Sequence, residues 1–178
     1  MERPLVEHAR AGDRDAFEAL VRLKVDAVYR SAYAILGNVA DAQDATQETF
    51  ISAWRSFRSL RDPDSFEAWL GRILTNACRM TLRGRRVRIR EIHTDSNDGE
   101  TPGGPTTLAP DDPIADADAF DRAFDRLSVY QRALLVAHHL DCRSVEELAR
   151  DMGIPAGTVK SRLHTARAAL GAALEGQR

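Results

Sequence analysis

Ser144-Val-Glu-Glu-Leu-Ala-Arg-Asp-Met-Gly-Ile-Pro-Ala-Gly-Thr-Val-Lys-Ser-Arg-Leu163 is the stretch on which the fold turns. Ser144 followed three residues on by Glu147 makes a capping box, in which hydroxyl and carboxylate each accept an orphan backbone N–H at a helix start. Val145, Leu148, Ala149 and Met152 then recur at helical spacing. Gly153 tolerates positive φ, and Pro155 suits the first turn of a second helix. The spacing therefore predicts helix, tight turn, helix. In the second helix Val159, Leu163, Ala166 and Leu170 form an apolar seam, which leaves Thr158, Lys160, Ser161, Arg162, His164 and Thr165 facing outward. No acid stands between Thr158 and Leu174. Such a face fits a DNA major groove, where Lys, Arg and Ser/Thr reach base edges and phosphates. Paired short helices also occur in bundles, with the cationic face simply solvated, so the stretch alone leaves both readings open.

With 178 residues, 43% of them apolar, the chain can form one domain or two small ones with packed cores. Neither a leader pattern nor a membrane-length apolar run is seen, so membrane insertion is not expected and the chain reads as cytoplasmic. Cys78 and Cys142 make no disulfide framework. The net charge of −2 hides an asymmetry: residues 61–90 hold eight arginines against three acids, whereas 91–118 hold eight acids and no Lys or Arg.

In chain order, Phe17, Leu20, Val28, Ala32, Ile35 and Leu36 predict a long helix closed by Gly37-Asn38. The next helix, Asp41 to Phe57, carries Phe50, Ala53, Trp54 and Phe57 as its apolar stripe and Asp41, Asp44, Gln47 and Glu48 on other faces. Acids near a helix N-terminus are stabilised by the macrodipole, and the same residues could instead dock a basic partner. Bundle metal sites need a Glu-x-x-His pair from facing helices, which is absent, so no metal or other cofactor is expected. Arg61 to Phe66 is a Pro- and Asp-rich loop, followed by a helix with Phe66, Trp69, Leu70, Ile73, Leu74 and Ala77 as its seam. That helix ends in Arg79, Arg83, Arg85, Arg86, Arg88 and Arg90, a density that suits phosphate tracking. Residues 91–118, rich in Pro, Gly and acids, read as a flexible linker. From Ala119 helical patterning resumes, with a second capping box at Ser128 and Gln131. His138, His139 and Cys142 lack a nearby fourth ligand, so they too predict packing rather than zinc. The fold class expected is all-α: a first helical domain over 1–90, a flexible acidic linker over 91–118, and a helix-turn-helix domain over 119–178.

Four blocks resemble a known group, the small extracytoplasmic-function sigma factors of the sigma-70 family. Asp41-Ala-Gln-Asp-Ala-Thr-Gln-Glu-Thr-Phe-Ile-Ser-Ala-Trp-Arg and Phe66-Glu-Ala-Trp-Leu-Gly-Arg-Ile-Leu-Thr-Asn-Ala-Cys are similar to two segments of sigma domain 2, and Arg83-Gly-Arg-Arg resembles that domain's basic end. Ile154 to Leu170 is similar to the recognition helix of domain 4. The resemblance implies a non-enzymatic initiation factor that binds core RNA polymerase, recognises promoter DNA and helps melt it. It implies polymerase contact through Asp41, Asp44, Gln47, Glu48 and Phe50. It implies that Arg61 in its loop and Asn76 capture an unpaired base of the start-proximal element, and Arg79, Arg83, Arg85 and Arg86 hold phosphates. Lys160, Ser161 and His164 would then lie nearest base edges of the distal element, with Arg143, Thr158, Arg162 and Arg167 nearer phosphates. An anti-sigma partner is expected by analogy alone. The chain departs from the family pattern at Leu127-Ser128, where Leu-Pro is usual, at Ala45, and at His164-Thr165, which leaves the promoter sequence undefined.

Two other readings remain at this point. A self-sufficient helix-turn-helix regulator would bind its operator without polymerase. A helical hydrolase built on Asp41, Asp44 and Glu48 would hold metal, yet no nucleophile–base pair or phosphate-cradling loop accompanies it.

Overall fold

The computed structural model describes residues 2–95 and 113–176, with side chains described over 2–84 and 119–176. Regular structure among the described residues is entirely helical, in line with the all-α expectation. Helix α1 (Glu2–Arg10) leads into α2 (Arg14–Leu36), whose start is fixed by the Asp13 carboxylate accepting the N–H groups of Asp15 at 2.9 Å and Ala16 at 3.2 Å. Gly37, in the left-handed region at φ 65°, ends α2 by donating its N–H to the Tyr33 carbonyl. Asn38 caps α3 (Val39–Ser56), and two 3₁₀ turns, Phe57–Ser59 and Pro63–Ser65, bring the chain to α4 (Phe66–Asp95).

Beyond the acidic stretch lie α5 (Pro113–Asp125), α6 (Val129–His139), α7 (Val145–Met152) and α8 (Ala156–Glu175). Both capping boxes form, at Ser128–Gln131 and at Ser144–Glu147, and Gly153 takes φ 63° in the turn between α7 and α8. The helices run into both ends of the expected 91–118 linker: α4 continues to Asp95, and α5 starts at Pro113, whose fixed φ suits a first helical position. Residues 96–112 of that linker lie outside the described residues.

One core joins α1 to α4. Leu20, Ala32, Ile35 and Leu36 of α2 meet Ala42, Ala45 and Ala53 of α3 and Leu70, Leu74, Ala77 and Cys78 of α4. Ala42 and Ala45 are fully buried, so small residues let α3 approach its neighbours closely where a larger side chain would push the helices apart. The buried hydroxyls of Thr46 and Thr49 donate back to the Ala42 and Ala45 carbonyls at 2.7 and 2.6 Å, which satisfies them within the helix. At one end Phe57 packs edge-on to Trp69, ring centroids 5.3 Å apart, so Trp69 belongs to the core. The second core gathers Leu127, Leu134, Leu135, Leu148, Val159, Leu163 and Ala166, as the helix-turn-helix spacing predicts.

The two modules also pack on each other. Helix α6 lies against α2 and α4, and Val136 is buried in the first module's core. Arg132, itself 5% exposed, donates to the Ile35 carbonyl at the end of α2 at 2.9 Å, to the Leu127 carbonyl at 3.2 Å and to the carbonyl of Asp125. Its guanidinium also pairs with the Asp125 carboxylate at 2.8 Å. The Ser31 hydroxyl donates to Asp141 Oδ1 at 3.0 Å across the same boundary.

Cys78 is fully buried and Cys142 exposed, both as free thiols. Burial pushes the Cys78 thiol up to about 12, so almost none of the reactive thiolate is present at neutral pH. One maleimide equivalent is therefore expected to label the native protein and two the unfolded chain; mass spectrometry showing rapid native labelling of Cys78 would contradict this packing.

Candidate nucleic-acid and polymerase interface

Helix α8 buries Val159, Leu163 and Ala166 and exposes Lys160, Ser161, Arg162, His164, Thr165 and Arg167, with Thr158 half-buried. At 100° per residue, Ser161, His164 and Thr165 lie opposite the buried seam, Lys160 and Arg167 flank it on one side and Arg162 on the other. Small polar groups at the centre with cations on both margins suit a groove-bound helix, with Lys160 beside the central Ser161 and His164 and Arg162 toward the opposite rim. Arg167 donates to His139 Nε2 at 3.2 Å, and His138 Nδ1–H donates to the Arg143 carbonyl at 2.8 Å. The two histidine rings stand edge-on at 4.8 Å. Burial first, then Arg167 and His138, hold the His139 imidazole below its usual range, so the neutral ring accepts the Arg167 bond near neutral pH.

Arg143, expected nearer phosphates, has a structural partner as well. It reaches the carboxylate of Asp151 in α7, so its charge is engaged inside the helix-turn-helix. Burial raises the Asp151 carboxyl above its usual range, and Arg143 and Arg150 act against that rise. The local sequence places Arg143 just before the cap at Ser144 and gives no sign of this pairing.

On α4, Asn76, Arg79 and Arg83 are exposed, and Arg72, not singled out in the sequence, completes the strip at helical spacing. The side chains of Arg85 and Arg86 lie outside the described residues. Arg61 is exposed in the loop between the two 3₁₀ turns. That loop is held from within: the Asp62 carboxylate accepts the Asp64 N–H and the Ser65 hydroxyl, both at 3.0 Å. Arg72, Thr75 and Asn76 line a cleft whose opposite wall includes Arg143, Asp151 and Arg162. The surfaces of α4 and α8 thus approach one another across the boundary between modules.

Helix α3 divides its five expected contact residues between two adjacent stripes. Asp44 and Glu48 are exposed, Asp41 is half-buried, and together the three follow one line along the helix. Gln47 and Phe50 lie on the neighbouring line, beside Gln43, Ile51 and Trp54, and form one wall of an open groove against Phe17 and Tyr29 of α2. Trp54, expected in the buried stripe, is 37% exposed in that groove with its ring 4.9 Å from Phe17. The residues that do bury α3 are Ala42, Ala45, Thr46, Thr49 and Ala53, because alanine and threonine carry little apolar signal yet fit a close helix crossing. Among the described residues no group of three or more His, Cys, Asp or Glu converges as metal ligands, and no helix is long and apolar enough to cross a membrane.

Comparison with known proteins supplies the context. Residues 20–88 match the model for sigma-70 region 2, and residues 117–170 that for sigma-70 region 4. The chain is 39% identical to the ECF RNA polymerase sigma factor SigE of Mycolicibacterium smegmatis, covering 88% of this chain and 62% of that protein. It is 37% identical to SigM of Mycobacterium tuberculosis over 90% of this chain and 78% of the relative. Among solved structures, CnrH in complex with the cytosolic domain of CnrY superposes with a TM-score of 0.67 at 27% identity, covering 99% of both chains. The sigma factor RpoE of Bartonella quintana, in complex with the anti-sigma factor NepR, gives 0.61 at 25% identity, covering 91% of this chain and 98% of that one.

Proposed function

This chain belongs to the ECF RNA polymerase sigma factors of the sigma-70 family, and from that membership we propose how its surfaces divide the work of initiation. The protein binds core RNA polymerase and promoter DNA, and the acidic stripe of α3 with the groove beside it forms the polymerase contact. The loop at Arg61 and the strip Asn76, Arg79 and Arg83 hold the melted start-proximal element, and the outward face of α8 reads the distal element in duplex form. The observation that carries this division is the acid-free, exposed face of α8 in one chain with the cationic strip of α4. Bond-making chemistry stays with the polymerase, and the protein acts in the cytoplasm. CnrH and RpoE were each captured with a protein partner, for RpoE an anti-sigma factor. By that relation an anti-sigma protein is taken to hold this chain inactive.

Reading two separated DNA elements requires the α4 and α8 surfaces, which share a cleft here, to be parted. Weak contacts of two tethered modules gain strength only once their spacing is fixed, a task for polymerase. Reconstitution with core polymerase and transcript-start mapping on genomic DNA tests the function as a whole. A stand-alone regulator would bind DNA tightly without polymerase and select no start sites.

Asp44→Arg reverses one charge on an exposed turn of α3 and should weaken core binding about tenfold while leaving helicity unchanged. Equal retention of variant and wild type on immobilised core would remove α3 from the contact.

A further inference from the structure

Helix α1 lies ahead of residue 20, where the region 2 match begins. Val6 and Ala9 seat it in the core, at 1% and 2% exposure. Its cations do something else. Arg10 Nη1 donates to the Arg61 carbonyl at 2.9 Å and to the Leu60 carbonyl at 3.5 Å, and Arg3 Nη1 pairs with Asp64 Oδ2 at 2.8 Å. From α2, Lys24 bridges Glu2 of α1, at 2.8 Å, and Glu67 in the first turn of α4. Three basic side chains thus tie α1, the loop and the start of α4 together.

We propose that Arg10, seconded by Arg3, is a positioning residue for base capture: it holds the Leu60–Ser65 loop in the backbone shape that receives an unpaired promoter base. The inference rests on the base-capture reading above. The physical reason lies in the loop's backbone. Leu60 and Arg61 fall between two 3₁₀ turns, and it is their carbonyls that Arg10 takes, whereas the Asp62 carbonyl accepts the Ser65 N–H at 3.0 Å. Asp62 orders the loop from Asp62 to Ser65, but the Leu60–Arg61 segment left to itself would have to be ordered when the base arrives, which weakens binding, whereas a segment already pinned has lost that freedom in advance. Arg10 suits the task because its Nη1, with two hydrogens to donate, reaches two successive carbonyls. The apolar anchors Val6 and Ala9 remain to dock α1 when the Arg10 head group is removed.

The test uses holoenzyme assembled from the full chain and core polymerase. The probe is fork-junction DNA built on a promoter found by transcript-start mapping, with the single-stranded part of its proximal element randomised. Wild-type holoenzyme should enrich one base at the captured position. Arg10→Ala should lower that enrichment about tenfold, with core affinity and the distal footprint unchanged, as expected when preorganisation alone is lost. Arg10→Lys, whose ammonium on a shorter stem stands in for Nη1, should restore part of it. Arg3→Ala removes ion pairs of a side chain 60% exposed, which costs the fold little, and it should move enrichment the same way to a smaller degree.

Unchanged enrichment in both alanine variants overturns the proposal. So does an even loss of affinity for all sequences that Arg10→Lys fully restores, because that marks a phosphate contact. If the wild-type holoenzyme enriches no base, the base-capture reading itself fails, and that outcome is recognisable before any variant is compared.

Discussion

Arg132→Met is expected to lower stability by about 2–4 kcal/mol and to let the two modules part. The magnitude follows from leaving buried carbonyls without a donor, at about 1–3 kcal/mol each, less whatever water regains on opening. Leu127 and Asp125 belong to the second module, so part of the loss falls on its own fold, and the remainder falls on the bond to Ile35 across the boundary. The Asp125 carboxylate is well exposed and is not stranded, which keeps the loss below that of a broken buried ion pair. Urea melts give the stability change, and small-angle scattering of the free protein should show a larger radius of gyration. Ser31→Ala, which removes a single half-buried bond to Asp141, should cost only about 1 kcal/mol. An unchanged radius with Arg132→Met would mean that this contact does not hold the modules together.

The second large effect is expected on α8. Lys160→Ala and Arg162→Ala should each weaken holoenzyme binding to a mapped promoter by about 1–3 kcal/mol if the contact is to a base edge, and less if it is to phosphate. The two should differ in kind. Arg162 stands on the margin of the helix, so its loss should fall evenly on all sequences and reduce the salt slope by about one. Lys160 stands on the opposite margin, next to Ser161 and His164, and its loss should relax preference at one position. Footprints across a salt series, on the mapped promoter and on single-base variants, separate these outcomes. Identical footprints for wild type and both variants would take α8 out of DNA recognition.

What could be read from the residues alone was local. The capping boxes at Ser128 and Ser144, the glycine stops at Gly37 and Gly153, and the seam of Val159, Leu163 and Ala166 each depend on neighbours within one or two helical turns, so spacing discloses them. The family came from the resemblance of four motif blocks to a known group, not from spacing. Helix α3 was legible only in part, because its buried face is built from Ala42, Ala45, Thr46 and Thr49, which hydrophobic patterning underweights.

Tertiary structure alone decided where the long polar side chains go. Arg132 meets Ile35 across 97 residues of chain and Ser31 meets Asp141 across 110, while Arg10 finds the Arg61 carbonyl 51 residues away. Arg143 turned to Asp151, and Trp54 faced a groove instead of the core. A flexible cation satisfies whichever carbonyl or carboxylate the packed helices bring within reach. That choice depends on helix crossings set by the whole core, which no periodicity along the chain records.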